Sequence, residues 1–229
     1  MAQNANSVIV TGATGQLGRI ITDRLREAGH RVIEADLSLG HDFTDQAFVE
    51  TWFRENRADS LVNLFALNDA VTPDRKSGSF LDVDMDSFRR CMEVNVVALL
   101  SVCREYIRNQ ESGSIINFSS IYGVVSPRTD LYVTGEKFIG YSVSKAAVIQ
   151  LTRHLAVHAA PRFRVNCVVP GGVRFDQPDE FLESYARHCP LGRMMDPAEI
   201  TGIVEYLLSD SASYCTGGVY NVDGGWTAW

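Results

Sequence analysis

Residues 7–18 read Ser-Val-Ile-Val-Thr-Gly-Ala-Thr-Gly-Gln-Leu-Gly, and this stretch decides the fold. Ser7 to Thr11 is a short apolar run closed by glycine, the pattern of a strand buried on both faces of a parallel sheet. Directly after it, Leu17, Ile20, Ile21, Leu25 and Ala28 recur with the 3.6-residue rhythm of an amphipathic helix, and Gly29 supplies the stop. A strand that turns through glycines straight into a helix opens a βαβ unit. In such a turn Gly12 permits the tight bend, Gly15 lets the backbone approach a pyrophosphate, and Gly18 lets helix pack on strand. Thr14, Gln16 and Leu17 complete the loop. The helix N-terminus then offers unpaired N–H groups and a positive dipole end to phosphates.

The next strand, RVIEAD (31–36), ends on an acid. Asp36 lies 18 residues beyond Gly18, where a carboxylate accepts from both ribose hydroxyls and repels a 2′-phosphate. Leu37 and Ser38 bring no cation to receive such a phosphate, although Arg19 is near. NAD is therefore expected over NADP. Asp42, in His41-Asp42-Phe43 just before a helix, is read either as that helix's cap or as a partner of the adenine amino group. Phe43, with Phe65 and Ala66 after the third strand, extends the candidate cofactor set.

Strands and helices continue to alternate. Thr44 to Arg57 reads as a helix, SLVNLFA (60–66) as a buried strand, and a polar stretch from Asn68 to Gly78 as a surface crossing. The longest helix follows, with Met85, Phe88, Met92, Val96, Leu99, Cys103 and Ile107 at spacings of three and four. GSIINFSS (113–120), FRVNCVVP (163–170) and GVYNVDGG (218–225) read as strands; Tyr141–Ala159 and Pro197–Leu208 read as helices. This order predicts an α/β fold, a Rossmann-type doubly wound parallel sheet with helices on both faces. Ligands then bind beyond the carboxyl ends of the strands. The 229 residues exceed the roughly 150 typical of a domain, yet no linker or repeat divides them, and one dinucleotide-binding and catalytic unit is expected over 1–229. Residues 1–6 are polar and expected to fray.

Composition narrows the partners. With 21 Lys+Arg against 28 Asp+Glu the formal charge is −7, which argues against nucleic acid or an anionic membrane. No apolar run reaches the ~18 residues of a membrane span, and MAQNANS lacks the basic start and apolar stretch of a signal peptide. The five cysteines (91, 103, 167, 189 and 215) are odd in number and form no CxxC pair, as in reduced core cysteines of a cytoplasmic protein. No metal ligand set is proposed.

The chemical end lies downstream. Tyr141 and Lys145 are four apart and share a helix face. A phenol near its usual pKa of ~10 is a poor base at neutral pH, but a neighbouring ammonium and a cationic nicotinamide favour phenolate. Tyr141 is then able to take a proton from an alcohol, or return one to a ketone. Ser120, at a strand's carboxyl end, is placed to hydrogen-bond the substrate oxygen.

Together TGATGQLG, Asp36, the VN of LVNLFA, VNVVALL, GSIINFSSIYG, YSVSK, VNCVVPGG, PLGRMMDPAEI and VDGGW resemble the short-chain dehydrogenase/reductase superfamily over essentially the whole chain. The resemblance implies a catalytic quartet of Asn95, Ser120, Tyr141 and Lys145. In it Asn95 holds a water linking Lys145 to solvent, and Lys145 also binds the nicotinamide ribose. It further implies that Pro170, Gly171 and Val173 border the nicotinamide. Read from the residues alone, Asn95 is a satisfied core amide among apolar neighbours. The family also implies that the helices carrying Asn95 and Tyr141 pack against their copies, so a homodimer or homotetramer is expected. Trp226 and Trp229 near the C-terminus are expected to be buried by that partner.

Several departures shape the expected substrate. The glycine pattern is GxxGxxG, as in the two-domain branch of epimerases and dehydratases, whereas length and VDGGW match the single-domain branch. The usual NNAG reads Asn63-Leu64-Phe65-Ala66, and no threonine follows Pro170-Gly171 at the usual place, leaving the backbone of Val173 as a substitute. Ser120 and Tyr141 stand 21 residues apart, a long separation, so the segment from Ser126 to Gly140 is expected to rise over the substrate mouth. That segment, with PGGVRFDQP and VDGGWTAW, is similar to a subgroup associated with flagellin modification and nonulosonate biosynthesis. Arg128, Lys137 and Arg174 suit an anionic sugar derivative, or are ordinary surface charges. The expected activity is NAD(P)-dependent hydride transfer at a secondary alcohol or ketone of a sugar-derived metabolite. The alternatives are a reductase of an acyl-thioester or small carbonyl, an NAD-recycling epimerase or dehydratase, and a non-catalytic nucleotide-binding protein.

Overall fold

The computed structural model describes residues 6–68, 80–132 and 136–229. Six strands form one sheet: β1 (Ser7–Thr11), β2 (Arg31–Ala35), β3 (Ser60–Asn63), β4 (Gly113–Phe118), β5 (Phe163–Pro170) and β6 (Val219–Val222). Their order is β2-β1-β3-β4-β5-β6, and every pairing is parallel. The chain winds outward from β1 to β2, then crosses back so that β3 lies on the other side of β1. The strand order therefore reverses between β1 and β3, and a crevice opens there at the carboxyl ends.

The helices are α1 (Gln16–Glu27), α2 (Gln46–Glu55), α3 (Met85–Met92), α4 (Leu99–Asn109), α5 (Ile139–Ala159), α6 (Asp179–His188) and α7 (Thr201–Leu208). Alternate residues of each strand serve opposite layers, as a period of two requires. Ile9, Leu61, Ile115 and Val165 join Phe53 of α2, Val102 of α4 and Val148 of α5 in one core. Val8, Val10, Val62, Ile116 and Val168 join Ile21 and Leu25 of α1 and Val204 and Leu207 of α7 in the other.

Polar residues cross the last rung of the sheet. Thr11, Asn63 and Asn117 lie side by side in register. Thr11 Oγ1 donates to Asn63 Oδ1 at 2.9 Å, Asn63 Nδ2 to Asn117 Oδ1 at 2.9 Å, and Asn117 Nδ2 to Thr152 Oγ1 of α5 at 3.0 Å. All four are buried, and the ladder satisfies groups that would otherwise each cost about 1–3 kcal/mol. It ties the crevice to α5.

Four features depart from the sequence reading. The helical run from Met85 to Asn109 is interrupted by a π-turn over Glu93–Ala98, which contains Asn95; such turns recur at functional sites. Residues 197–208 divide into a 3-10 turn, Pro197–Ile200, with an Asp196/Glu199 capping box, and then α7. Helix α6 has no counterpart in the sequence reading, which assigns no element between Pro170 and Pro197; Phe181, Leu182 and Tyr185 pack it onto the core. Trp226 is 4% exposed within its own chain, stacked on Tyr185, so only Trp229, 80% exposed, answers the expectation of a free indole. No disulfide links the cysteines, and four of the five are buried. Among the described residues no helix is long and apolar enough to cross a membrane. The expected fraying of residues 1–6 and the surface crossing lie largely outside the described residues.

Candidate active site

The turn between β1 and α1 needs its glycines for different reasons. Gly12 adopts φ +71°, and a Cβ there would stand 2.5 Å from the backbone nitrogen of Phe65. A Cβ on Gly18 would stand 2.0 Å from the carbonyl oxygen of Gly12. Gly15 is exposed and would meet only the Gly12 oxygen, at 3.3 Å. It also precedes α1 with no side-chain cap, and no acid occupies the first turn. The helix thus presents unpaired N–H groups and a positive end beside Gly15, whose missing side chain leaves room for a pyrophosphate.

A cavity of about 280 Å³ runs from this turn along the crevice. Gly12, Gly15, Asp36, Leu37, Asp42, Phe43, Phe65 and Ala66 line it, so eight of the candidate cofactor residues converge. Sequence reasoning missed His41, Leu67, Arg90 and Val94, which line it as well. Thr14 and Gln16 lie beside it, Leu17 packs on the core, and Gly18 is buried in the helix–strand contact.

Asp36 is held in place by its neighbours. Its Oδ1 accepts from Ser38 N at 2.9 Å and its Oδ2 from Thr14 N at 3.2 Å, while Thr14 Oγ1 and Ser38 Oγ lie 2.9 Å apart. Burial pushes this carboxyl up, but the hydrogen bonds from Ser38 and Thr14 outweigh it and leave the group below its ordinary range. Asp42 does not cap α2. Its Oδ1 accepts from Thr44 N and Thr44 Oγ1 at 2.9 and 2.7 Å, which lowers its pKa, and Asp45 caps the helix through Ala47 N and Phe48 N. The capping alternative for Asp42 is therefore corrected; the residue stays in the cavity wall.

The chemical residues gather around the start of α5. Ser120 follows β4 and its Oγ accepts from Tyr122 N at 3.2 Å. Tyr141 sits in the first turn of α5, with its phenol beside the Ser120 hydroxyl. One turn on, Lys145 is buried and its Nζ donates to the carbonyl of Phe118 at 2.8 Å. Asn95 is buried beneath them. Its Oδ1 accepts from Leu67 N at 2.7 Å, and its Nδ2 donates to Leu67 O and Ser144 Oγ, each at 2.9 Å. Ser144 in turn donates to the carbonyl of Tyr141 at 2.8 Å.

Burial shifts two groups of this cluster. It pushes the Tyr141 phenol above its ordinary 10, with the neighbouring Ser120 hydroxyl drawing it back. Burial also pushes Lys145 down to about 8. The Lys145 ammonium lies 5.7 Å from the Tyr141 ring centroid and is aimed at the Phe118 carbonyl.

Pro170 closes β5, and Gly171 and Val173 follow it. Gly171 N donates to Val222 O at 2.9 Å, and Gly172 N donates to Tyr185 Oη at 2.7 Å. The carbonyl of Val173 is engaged by Gln177 Nε2 at 2.9 Å.

A second cavity, about 330 Å³, lies against the segment between Ser120 and Tyr141. Its walls include Ser126, Arg128, Thr129, Tyr132, Glu136, Lys137 and Ser142. Arg128 makes a two-pronged pair with Asp130, both contacts 3.0 Å. Lys137 Nζ donates to Asn68 O and Oδ1 at 2.9 and 2.8 Å and stands 4.8 Å from the Tyr141 ring centroid. Arg174 pairs with Asp196 at 3.6 Å and does not join this cavity. The segment is pinned to α6: Tyr132 contacts Phe181, and His188 Nε2 lies 3.2 Å from Asp130.

A family model described as enoyl-(acyl carrier protein) reductase matches residues 1–227. The 3-oxoacyl-[acyl-carrier-protein] reductase FabG of Aquifex aeolicus is 29% identical over 235 residues, covering 98% of this chain and 89% of its own. Post-translational flagellin modification protein A of Campylobacter coli is 26% identical over 251 residues, covering 96% and 97%. A short-chain dehydrogenase from Leptospira borgpetersenii, solved with bound NAD+, superposes with a TM-score of 0.86 at 28% identity, covering 97% of this chain and 93% of its own. With the parallel sheet, the glycine turn and the Ser120–Tyr141–Lys145 cluster in place, the chain belongs to the short-chain dehydrogenase/reductase superfamily of oxidoreductases.

Proposed function

We propose that this protein is an NAD-dependent dehydrogenase/reductase of a secondary alcohol or ketone on an anionic, sugar-derived metabolite. The observation that carries the reading is the gathering of Ser120, at the end of β4, with the Tyr141 phenol and, one helical turn on, the buried Lys145 ammonium at the start of α5. The glycine turn and α1 hold the pyrophosphate, Asp36 the adenosine ribose, and Pro170 to Val173 border the nicotinamide. A bound nicotinamide ring supplies the hydride acceptor in oxidation and the donor in reduction. Tyr141 Oη takes the substrate hydroxyl proton in oxidation, or returns one in reduction. Ser120 steadies the substrate oxygen as its charge changes. Lys145 binds the nicotinamide ribose and passes the proton onward. The Asn95 side chain is spent on Leu67 and Ser144, so a water held by Asn95 engages its backbone carbonyl.

Asp36 supports NAD over NADP, since a carboxylate beside the ribose repels a 2′-phosphate. The cations at the mouth, Lys137 and the Asp130-paired Arg128, support a sugar acid or sugar phosphate over a neutral substrate. A second reading, reduction of an acyl-thioester, draws on the similarity to FabG. The whole chain acts as one catalytic unit. Val97 of the π-turn, Leu100 of α4 and Val143 and Val157 of α5 are exposed, which supports a homodimer or homotetramer across these helices.

The deciding test is Tyr141→Phe assayed with NAD and a panel of sugar acids, sugar phosphates and acyl-thioesters. The expected result is turnover lowered by about 10²–10⁴ with NAD affinity retained. Unchanged turnover removes Tyr141 from the chemistry, and activity confined to acyl-thioesters selects the second reading.

A further inference from the structure

We infer that Tyr185 is a positioning residue for the nicotinamide half of the cofactor, acting through the backbone of Gly172; this rests on the proposed NAD-linked function. The turn after β5 opens with two glycines, so for two residues it has no side chain with which to locate itself. It must be held from outside. On one side Gly171 N bonds to Val222 O of β6 at 2.9 Å, and on the other Gly172 N bonds to Tyr185 Oη of α6 at 2.7 Å. The second is the side-chain contact.

The pair of glycines is explained by the ring that sits against them. A Cβ on Gly172 would lie 2.6 Å from Tyr185 Cε2, and one on Gly171 would lie 3.1 Å from Tyr185 Oη and 2.8 Å from Asp223 Cα. Neither glycine needs a positive φ; both are required for close approach. Tyr185 itself has little freedom. It is 2% exposed and stacked on Trp226, with ring centroids 4.3 Å apart and planes 18° apart. Trp226 is anchored by the adjoining turn, in which the Asp223 carboxylate accepts from Gly225 N at 2.9 Å and Thr227 N at 3.0 Å. Burial pushes the Tyr185 phenol up to about 12, so it remains a neutral acceptor at working pH and adds no charge beside a cationic ring. The same helix meets the mouth through Phe181 and His188, so one element sets both the nicotinamide turn and the substrate wall.

The test uses the full chain and Tyr185→Phe, which keeps the ring and its stacking but removes the acceptor. Calorimetric affinities are measured for NAD and for ADP-ribose, which lacks only the nicotinamide. The inference expects ADP-ribose affinity unchanged within about twofold and NAD affinity lowered about five- to tenfold, the size of one net hydrogen bond. Gly172→Ala, which presses a methyl on the Tyr185 ring, is expected to show the same split. Equal losses for both ligands, or no loss for NAD, overturns the inference while leaving the proposed function intact. Failure of the wild type to bind either ligand overturns both.

Discussion

Asn95 grips Leu67 by both backbone groups, accepting from its N–H at 2.7 Å and donating to its C=O at 2.9 Å. A single amide thereby closes the loop after β3 onto the π-turn, and its remaining donor reaches Ser144 at the start of α5. Leu67 also lines the adenosine-side cavity. Asn95→Ala leaves these groups without partners in a partly buried setting, and a loss of about 1–3 kcal/mol is expected in urea unfolding. NAD affinity should fall several-fold with it. A variant as stable as the wild type would show that the clamp is dispensable.

Lys145 makes stability depend on pH in a definite sense. Its pKa falls from 10.5 in the unfolded chain to about 8 in the folded one. Between those values the unfolded state holds the extra proton, so stability rises with pH. Tyr141, pushed above 10 by burial, works in the opposite sense at higher pH, so the informative window is pH 8 to 10. Over that range the wild type should gain stability relative to Lys145→Met. Parallel curves for the two proteins would place the ammonium in solvent.

How much was legible follows from where the signal resides. The strands were readable because runs such as Ser-Val-Ile-Val-Thr are buried on both faces, and α1 because its apolar face repeats over three turns. Gly12 and Gly18 were readable because a Cβ at either position would stand 2.5 or 2.0 Å from neighbouring backbone, which tolerates no other residue. Tyr185 was not, since its partner is a main-chain N–H thirteen residues away and nothing in sequence marks that contact. Nor was the direction of the Tyr141 shift: four-residue spacing puts Lys145 on the same face but does not show its ammonium turned to Phe118. Asp42 was ambiguous between cap and ligand because Asp45, three residues on, satisfies the same rule.

Asp36 should decide cofactor choice. Its carboxylate is fixed by Ser38 and Thr14 at the rim of the cavity, with no cation offered by Leu37 or Ser38. Asp36→Asn retains an acceptor for Ser38 N but removes the charge. NAD affinity is expected to fall about tenfold, as for one charge-assisted hydrogen bond, while NADP affinity holds or rises. Titration of both cofactors measures the ratio. A preference for NAD unchanged in Asp36→Asn would locate the discrimination elsewhere.

Lys137 offers the sharpest separation of the two substrate readings. Its ammonium is braced by Asn68 and stands closer to the Tyr141 ring than that of Lys145, 4.8 against 5.7 Å. A substrate hydroxyl in reach of Tyr141 therefore brings any neighbouring carboxylate or phosphate within several ångströms of this charge. At an effective dielectric near 20 such a pair is worth about 2 kcal/mol, or more than tenfold in rate. Lys137→Met should cut kcat/KM for sugar acids and sugar phosphates by at least that factor. Neutral polyols of the same length should lose far less. A neutral acyl-thioester carbonyl makes no such demand, so if the protein reduces thioesters the same variant should leave their kcat/KM within about twofold of the wild type. A uniform loss across charged and neutral substrates would instead show that Lys137 serves the Asn68 contact and not the substrate.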